Sequence, residues 1–295
     1  TDHLTGKTDA ILKRPKSDPL IIHTQSATEY WQRKGSLVHT DTRGNDQEPP
    51  EGVRIYAWGS SEHFADPKMI RPSKGPCQNF SNVVRTSFFC RASLDHLDLW
   101  VTQEIAPPPS RFPKRSDGTL VDGREWQNQF PNIPGIAIPG GPAKLPLLDF
   151  GSEFEKGLLS LEPPKVLDTE GYPTLVPAVD DDGNDRGCLN APMVLAPLAT
   201  YTGWNLRARG QGHGAKYQFS GSTIPFPETP EERQVTADPR ASILERYPNA
   251  ESYVEAVRAA SRQLVEERYM LEEDLERCVE WAKDWDRLRH RIRLP

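Results

Sequence analysis

Two short β-branched runs near the start of the chain constrain its fold more than any other feature. Leu20-Ile21-Ile22-His23-Thr24 leads into Gln25-Ser26-Ala27-Thr28-Glu29, and Val53-Arg54-Ile55-Tyr56-Ala57-Trp58 leads into Gly59-Ser60-Ser61-Glu62-His63. Apolar runs of this length, bounded by Pro19 and Gly52, read as buried strands over 20–24 and Val53–Trp58. Residues 28–36 read as a short helix between them. Strands joined through a helix pair in parallel, so the loops after them open on the same sheet edge. One such loop carries an acid, Glu29, and the next carries a histidine, His63.

An acid followed by a histidine is the second half of a Ser, acid, His order on successive loops. A buried acid fixes the imidazole tautomer and stabilises the imidazolium, and the histidine moves the proton. Glu29 is the acid candidate; its bland reading is a helix-start carboxylate that suits the dipole. His63 is the base candidate; its bland reading is a loop histidine. Val38-His39-Thr40-Asp41 supplies Asp41 as an alternative acid. His23 reads as a satisfied strand-end histidine. The chain contains no G-x-S-x-G, and Ser220-Gly221-Ser222 does not fit a nucleophile elbow. H-E-x-x-H is also absent, which removes a metalloprotease reading.

Beyond the second run, Val84, Phe88, Leu94, Leu97, Trp100, Val101 and Ile105 predict a helix over 79–105, stopped by Pro107-Pro108-Pro109. Residues 110–240 read as an irregular extension with short strands. Turns are signalled at Asp117-Gly118 and Asp182-Gly183, and 133–142 is extended and aperiodic. Arg207 to Gly214 is a Gly-rich stretch with two arginines; it fits no phosphate-loop pattern and reads as a surface loop. Residues 241–295 read as helical, with Asn249 as N-cap and a stripe of Tyr253, Val257, Ala260 and Leu264. After a break near Met270 comes a second stripe of Leu275, Val279, Ala282 and Trp285. Arg287, Arg289, Arg291 and Arg293 form a basic tail.

A formal charge of −6 gives no basic face for nucleic acid. No apolar run is long enough to span a membrane. The 28 prolines and 21 glycines account for the irregular middle. Four widely spaced cysteines, Cys77, Cys90, Cys188 and Cys278, form no zinc-ribbon pattern; they read as isolated buried thiols, with a Cys77–Cys90 bridge reserved for an oxidising compartment. The chain opens on Thr1 with an incomplete catalytic inventory, which reads as a fragment.

The wording of several segments goes further than their spacing. Ile22-His23-Thr24-Gln25-Ser26-Ala27-Thr28-Glu29-Tyr30-Trp31, Ser36-Leu37-Val38-His39-Thr40-Asp41, and Val53-Arg54-Ile55-Tyr56 followed by Glu62-His63 resemble a family of large, mostly uncharacterised α/β-hydrolase-domain proteins. Val176 to Asn184, Pro197 to Leu206 and Gly221 to Phe226 resemble it too. The family usually has Thr-Gln-His where this chain has Ser61-Glu62-His63. In such proteins a Gly-x-Ser-x-Gly segment precedes this region.

The resulting expectation is an α/β fold. Residues 1–109 would be the C-terminal part of an α/β-hydrolase core, 110–240 a Pro/Gly-rich extension, and 241–295 a helical end. The resemblance implies a carboxylesterase-like serine hydrolase acting through an acyl-enzyme, with its serine and oxyanion donors upstream of Thr1. Its partners would be a small-molecule ester and the missing N-terminal part of the same protein. No cofactor or metal is implied, and this chain alone should be inactive. Trp31, Trp204 and Asn205 are pocket-lining candidates. The rival readings are a non-catalytic binding or scaffold protein on a degenerate hydrolase fold, and a carbohydrate- or lipid-binding module built from the middle.

Overall fold

The computed structural model describes residues 1–14, 16–64, 73–168 and 171–284. Strand β1 (Ile21–Ser26) runs into helix α1 (Ala27–Gln32), and the chain returns as β2 (Val53–Trp58). The two strands pair in parallel from Ile21↔Val53 to Ser26↔Trp58. Pairing carries β1 past Thr24, where the apolar run stops, so the strand ends level with β2. The other edge of β2 is covered by backbone outside any long strand. Arg111 N–H donates to Ile55 O and Ala57 N–H to Arg111 O, both at 2.9 Å. Leu189 N–H donates to Ala57 O at 2.8 Å. A central strand therefore has its backbone groups satisfied on both sides, as burial requires.

Helix α1 is shorter than the expected 28–36. Lys34 takes a left-handed φ of 53°, and a 3₁₀ turn, Gly35–Val38, comes next. Gly35 lies so close to the backbone of Glu29 and Tyr30 that a Cβ would sit 3.0 Å from both, so the chain must turn there. The expected 79–105 helix is also shortened. Phe80–Ser81 forms β3, and α2 begins only at Ser87 and ends at Gln103 (Ser87–Gln103). The Asn82 amide holds the intervening chain extended: it donates to Ser60 O (2.8 Å) and Thr202 O (3.0 Å) and accepts from Val84 N–H (2.7 Å). Val84 lies in this loop and not in the helix, and is buried in one cluster with Phe88 and Phe89.

The middle of the chain supplies β4 (Leu120–Asp122), α3 (Gly123–Gln129), β5 (Leu147–Asp149), β6 (Lys165–Asp168), β7 (Leu175–Pro177), α4 (Pro192–Leu195), β8 (Ala199–Thr202) and β9 (Ser222–Pro225). The pairs β4–β7 and β5–β6 are antiparallel, as is the small sheet β3-β9-β8. Gly118 (φ 72°) and Gly183 (φ 80°) occupy the two Asp-Gly turns. The principal core cluster joins Trp31 and Ile55 to Trp126, Val176 and Trp204. Trp31 and Trp126 meet edge to face at 4.7 Å between ring centres. The Pro/Gly-rich stretch is thus a wall of the core, carried by large aromatic burial where regular hydrogen bonding is sparse.

Two short helices, α5 (Pro230–Thr236) and α6 (Ile243–Arg246), lead to α7 (Ala250–Glu266) and α8 (Glu272–Ala282). Asn249 caps α7 by accepting from Ser252 N–H at 2.9 Å. Tyr253, Val257 and Leu264 are buried along one face of α7, and Leu275, Val279 and Ala282 along one face of α8. Ala260 is only partly buried. The break between the helices contains Arg268 at φ 66° and the buried Met270. Trp285 and the basic tail of Arg287, Arg289, Arg291 and Arg293 lie outside the described residues. No disulfide joins any of the four cysteines among the described residues. Among the described residues no helix is long and apolar enough to cross a membrane.

Candidate active site

The parallel register puts the ends of β1 and β2 side by side, and the site is built on the segments just beyond them. Glu29 lies in the first turn of α1. Its Oε2 accepts from Ser26 N–H at 2.7 Å and from the Ser26 hydroxyl. That contact is a helix-capping interaction. It also fixes the carboxylate, leaving Oε1 to face the next loop. There the Nδ1 of His63 lies 2.6 Å from Oε1. The capping and catalytic readings of Glu29 are therefore compatible, one for each oxygen. With the proton on Nδ1, the imidazole donates to the carboxylate and its Nε2 carries the lone pair. The His63 side chain is 45% exposed and Glu29 only 21%, so the pair opens outward from the histidine side. Among the described residues none hydrogen-bonds Nε2.

A distant segment backs the ring. Phe219 places its own ring 4.8 Å from that of His63, centre to centre. Its backbone is in the left-handed region (φ 63°), which costs a non-glycine residue about 1 kcal/mol or more. Hydrogen bonds hold it there. Phe219 N–H donates to Gln32 Oε1 (3.1 Å), and Gln32 Nε2 donates to Tyr217 O (3.1 Å). His63 N–H donates to Phe219 O (3.3 Å). Glu62 Oε2 accepts from Gly221 N–H (3.1 Å) and the Ser220 hydroxyl (3.4 Å). Burial pushes the Glu62 carboxyl up to about 7, against the pull of those donors.

Behind this layer, Ser60 comes after β2 at φ 55° and is wholly buried. Its N–H donates to Asp185 Oδ2 (2.6 Å), and its Oγ accepts from Asp185 N–H (2.8 Å). Burial raises the Asp185 carboxyl to about 7. On the α1 side, Gly203 presses on Ala27: a Cβ there would lie 2.4 Å from the Ala27 carbonyl carbon. Thr28 Oγ donates to Gly203 O at 3.0 Å. Both loops are thereby clamped from the rear.

The other sequence candidates go elsewhere. Asp41 turns its carboxylate to its own loop, accepting from Arg43 and Asn45 N–H at 2.8 Å each. The acid at His63 is Glu29. Trp31, Trp204 and Asn205, read as pocket wall, are only 1%, 1% and 0% exposed and belong to the packed interior. Asn205 spends its amide on the carbonyls of Asn79 and Gly221, both at 3.1 Å. His39 stacks on Phe112 and shares a 2.7 Å hydrogen bond with the Tyr30 hydroxyl; burial lowers it to about 4 and keeps it neutral. His23 is not satisfied as a strand-end group, for its buried Nε2 has no partner among the described residues. His213 sits in the exposed Gly-rich loop. Ser220 faces Glu62, and Ser222 is buried, donating to Trp204 O at 2.6 Å. Neither hydroxyl is aimed at His63.

Sequence reasoning gave no site role to Gln32, Glu62, Asp185 or Phe219. Glu62 adjoins His63 in the sequence and was open to notice. Phe219 and Asp185 reach the site only by folding.

A family model described as an alpha/beta hydrolase domain matches residues 4–280. The chain belongs to the alpha/beta hydrolase domain family. That match spans the described fold and does not bear out a restriction to a C-terminal portion of the domain. No curated protein and no solved structure is detectably similar to the chain. Triad partners in alpha/beta hydrolases follow in the chain order serine, acid, histidine, and Glu29 precedes His63 in this chain.

Proposed function

We propose that this alpha/beta hydrolase domain carries the acid and base of a carboxylesterase-like serine hydrolase, Glu29 and His63, and that its serine nucleophile lies upstream of Thr1. The observation that carries the reading is the 2.6 Å contact between Glu29 Oε1 and His63 Nδ1 beside the paired strand ends. The serine hydroxyl attacks the ester carbonyl while His63 Nε2 takes its proton. Glu29 stabilises the resulting imidazolium. His63 then gives the proton to the departing alkoxide, and the alcohol leaves an acyl-serine. A water, deprotonated by His63, cleaves the acyl-serine to the carboxylic acid and restores the hydroxyl.

The test is active-site labelling of the whole protein that contains this chain. A fluorophosphonate should modify one serine, located by peptide mass spectrometry, and His63→Ala should abolish the labelling. A protein with no reactive serine, or with labelling indifferent to His63, would overturn the proposal.

A further inference from the structure

A cavity of about 230 Å³ opens among α2, α4, α7 and α8, apart from the Glu29–His63 site. Its apolar lining includes Phe88, Met193, Val257 and Trp281. The same cavity is lined by Arg85, Arg91 and Arg277, against one carboxylate, Asp274. Asp274 is fully buried and is shared: Arg91 Nε donates to one oxygen at 3.0 Å, and Arg277 donates to the other at 3.0 Å. Arg85 stacks over the Trp281 ring, 4.7 Å from its centre, and has no carboxylate partner among the described residues. The indole N–H of Trp281 is buried with no acceptor among the described residues. Arg277 also lies 3.9 Å from Glu273, so the charge left unmatched at the lining is that of Arg85, beside an unmatched donor and an apolar floor.

From this combination we infer a binding site for a small amphipathic monocarboxylate, with one aromatic ring or a short alkyl chain. The volume lies below the usual range for drug-sized ligands, which limits the tail. A carboxylate suits the guanidinium fork and can accept from the indole N–H, and the ring or chain covers the apolar floor. Inorganic anions would leave that floor wet. Neutral isosteres would leave the positive charge unmatched.

Isothermal titration of the chain with benzoate tests the site, with benzamide and inorganic phosphate as comparators. Benzoate should bind saturably, and both comparators at least ~10-fold more weakly, the scale of one charge-assisted hydrogen bond. Arg85→Gln should weaken benzoate by ~10-fold or more. Arg277→Gln is a second variant on a well-exposed side chain that leaves the Arg91–Asp274 pair in place, and it should weaken benzoate in the same direction. Ser87→Phe, which adds bulk to the lining, should abolish binding. The inference is overturned by no saturable binding, by phosphate or benzamide binding as tightly as benzoate, or by benzoate binding indifferent to folded variants at Arg85 and Arg277.

Discussion

Glu29 and His63, 34 residues apart in the chain, meet at 2.6 Å because β1 and β2 end side by side in parallel. The contact is shaped twice over. Helix capping fixes one carboxylate oxygen, and the strand register delivers the imidazole to the other. If the pair acts as proposed, Glu29→Gln in the whole enzyme should lower kcat by up to ~10⁴-fold through loss of tautomer control, and His63→Ala should abolish it. KM should change little, since neither group is asked to bind the ground state. Steady-state kinetics on a p-nitrophenyl ester decides; a Glu29→Gln enzyme at wild-type kcat removes Glu29 from the machinery.

The chain by itself should hydrolyse p-nitrophenyl esters no faster than its His63→Ala variant. The nucleophile and oxyanion donors supply terms of ~10³-fold or more each, and neither is assigned to a residue of this chain. A burst of acyl-enzyme from the chain alone would point to a serine within it, and Ser220→Ala and Ser222→Ala would identify which.

Gln32 should matter to stability well beyond its size. It is 4% exposed and bridges Tyr217 O and Phe219 N–H. Gln32→Ala leaves both backbone groups without that partner, at about 1–3 kcal/mol for each group left buried and unpaired. Urea denaturation should show a loss of about 2 kcal/mol, and one below about 0.5 kcal/mol would mean that water replaces the amide.

Gly203→Ala should be severe, about 3 kcal/mol or more, because the added methyl meets backbone and not a flexible side chain. The displaced segment is the start of α1, so the change should also disturb the Glu29–His63 contact. An imidazole NMR signal of His63 unmoved in a folded Gly203→Ala variant would contradict this coupling.

Glu62 gives a pH dependence with a defined sign. Its folded value of about 7 lies above its ordinary 4.5, so the folded state holds the proton longer than the unfolded state does. Stability from this group is full below pH 4.5 and is lost as pH rises through about 7, by about 3 kcal/mol in all. Glu62→Gln should flatten that decline. Identical slopes for wild type and variant between pH 4.5 and 7 would show that the buried carboxyl is relaxed by water.

The sequence by itself determined the elements whose signal is local. Ile21, Ile22, Val53 and Ile55 specify strands because β-branched side chains pack on a pleated, buried surface. Their separation by a helix dictates parallel pairing, and parallel pairing brings Glu29 and His63 to one edge. Asn249 and the spacing of Tyr253, Val257 and Leu264 mark α7 in the same local way. Tertiary structure decided what depends on partners far along the chain. The 79–105 stripe is helical only from Ser87, because β9 and the Asn82 amide claim the residues before it. Trp31 and Trp204, which touch each other, became core because Trp126 packs against both from the Pro/Gly-rich middle. Phe219 came to lie against His63 because Gln32 and Glu62 hold its segment. Periodicity records which face of an element is apolar; it carries no record of which distant residue will cover that face.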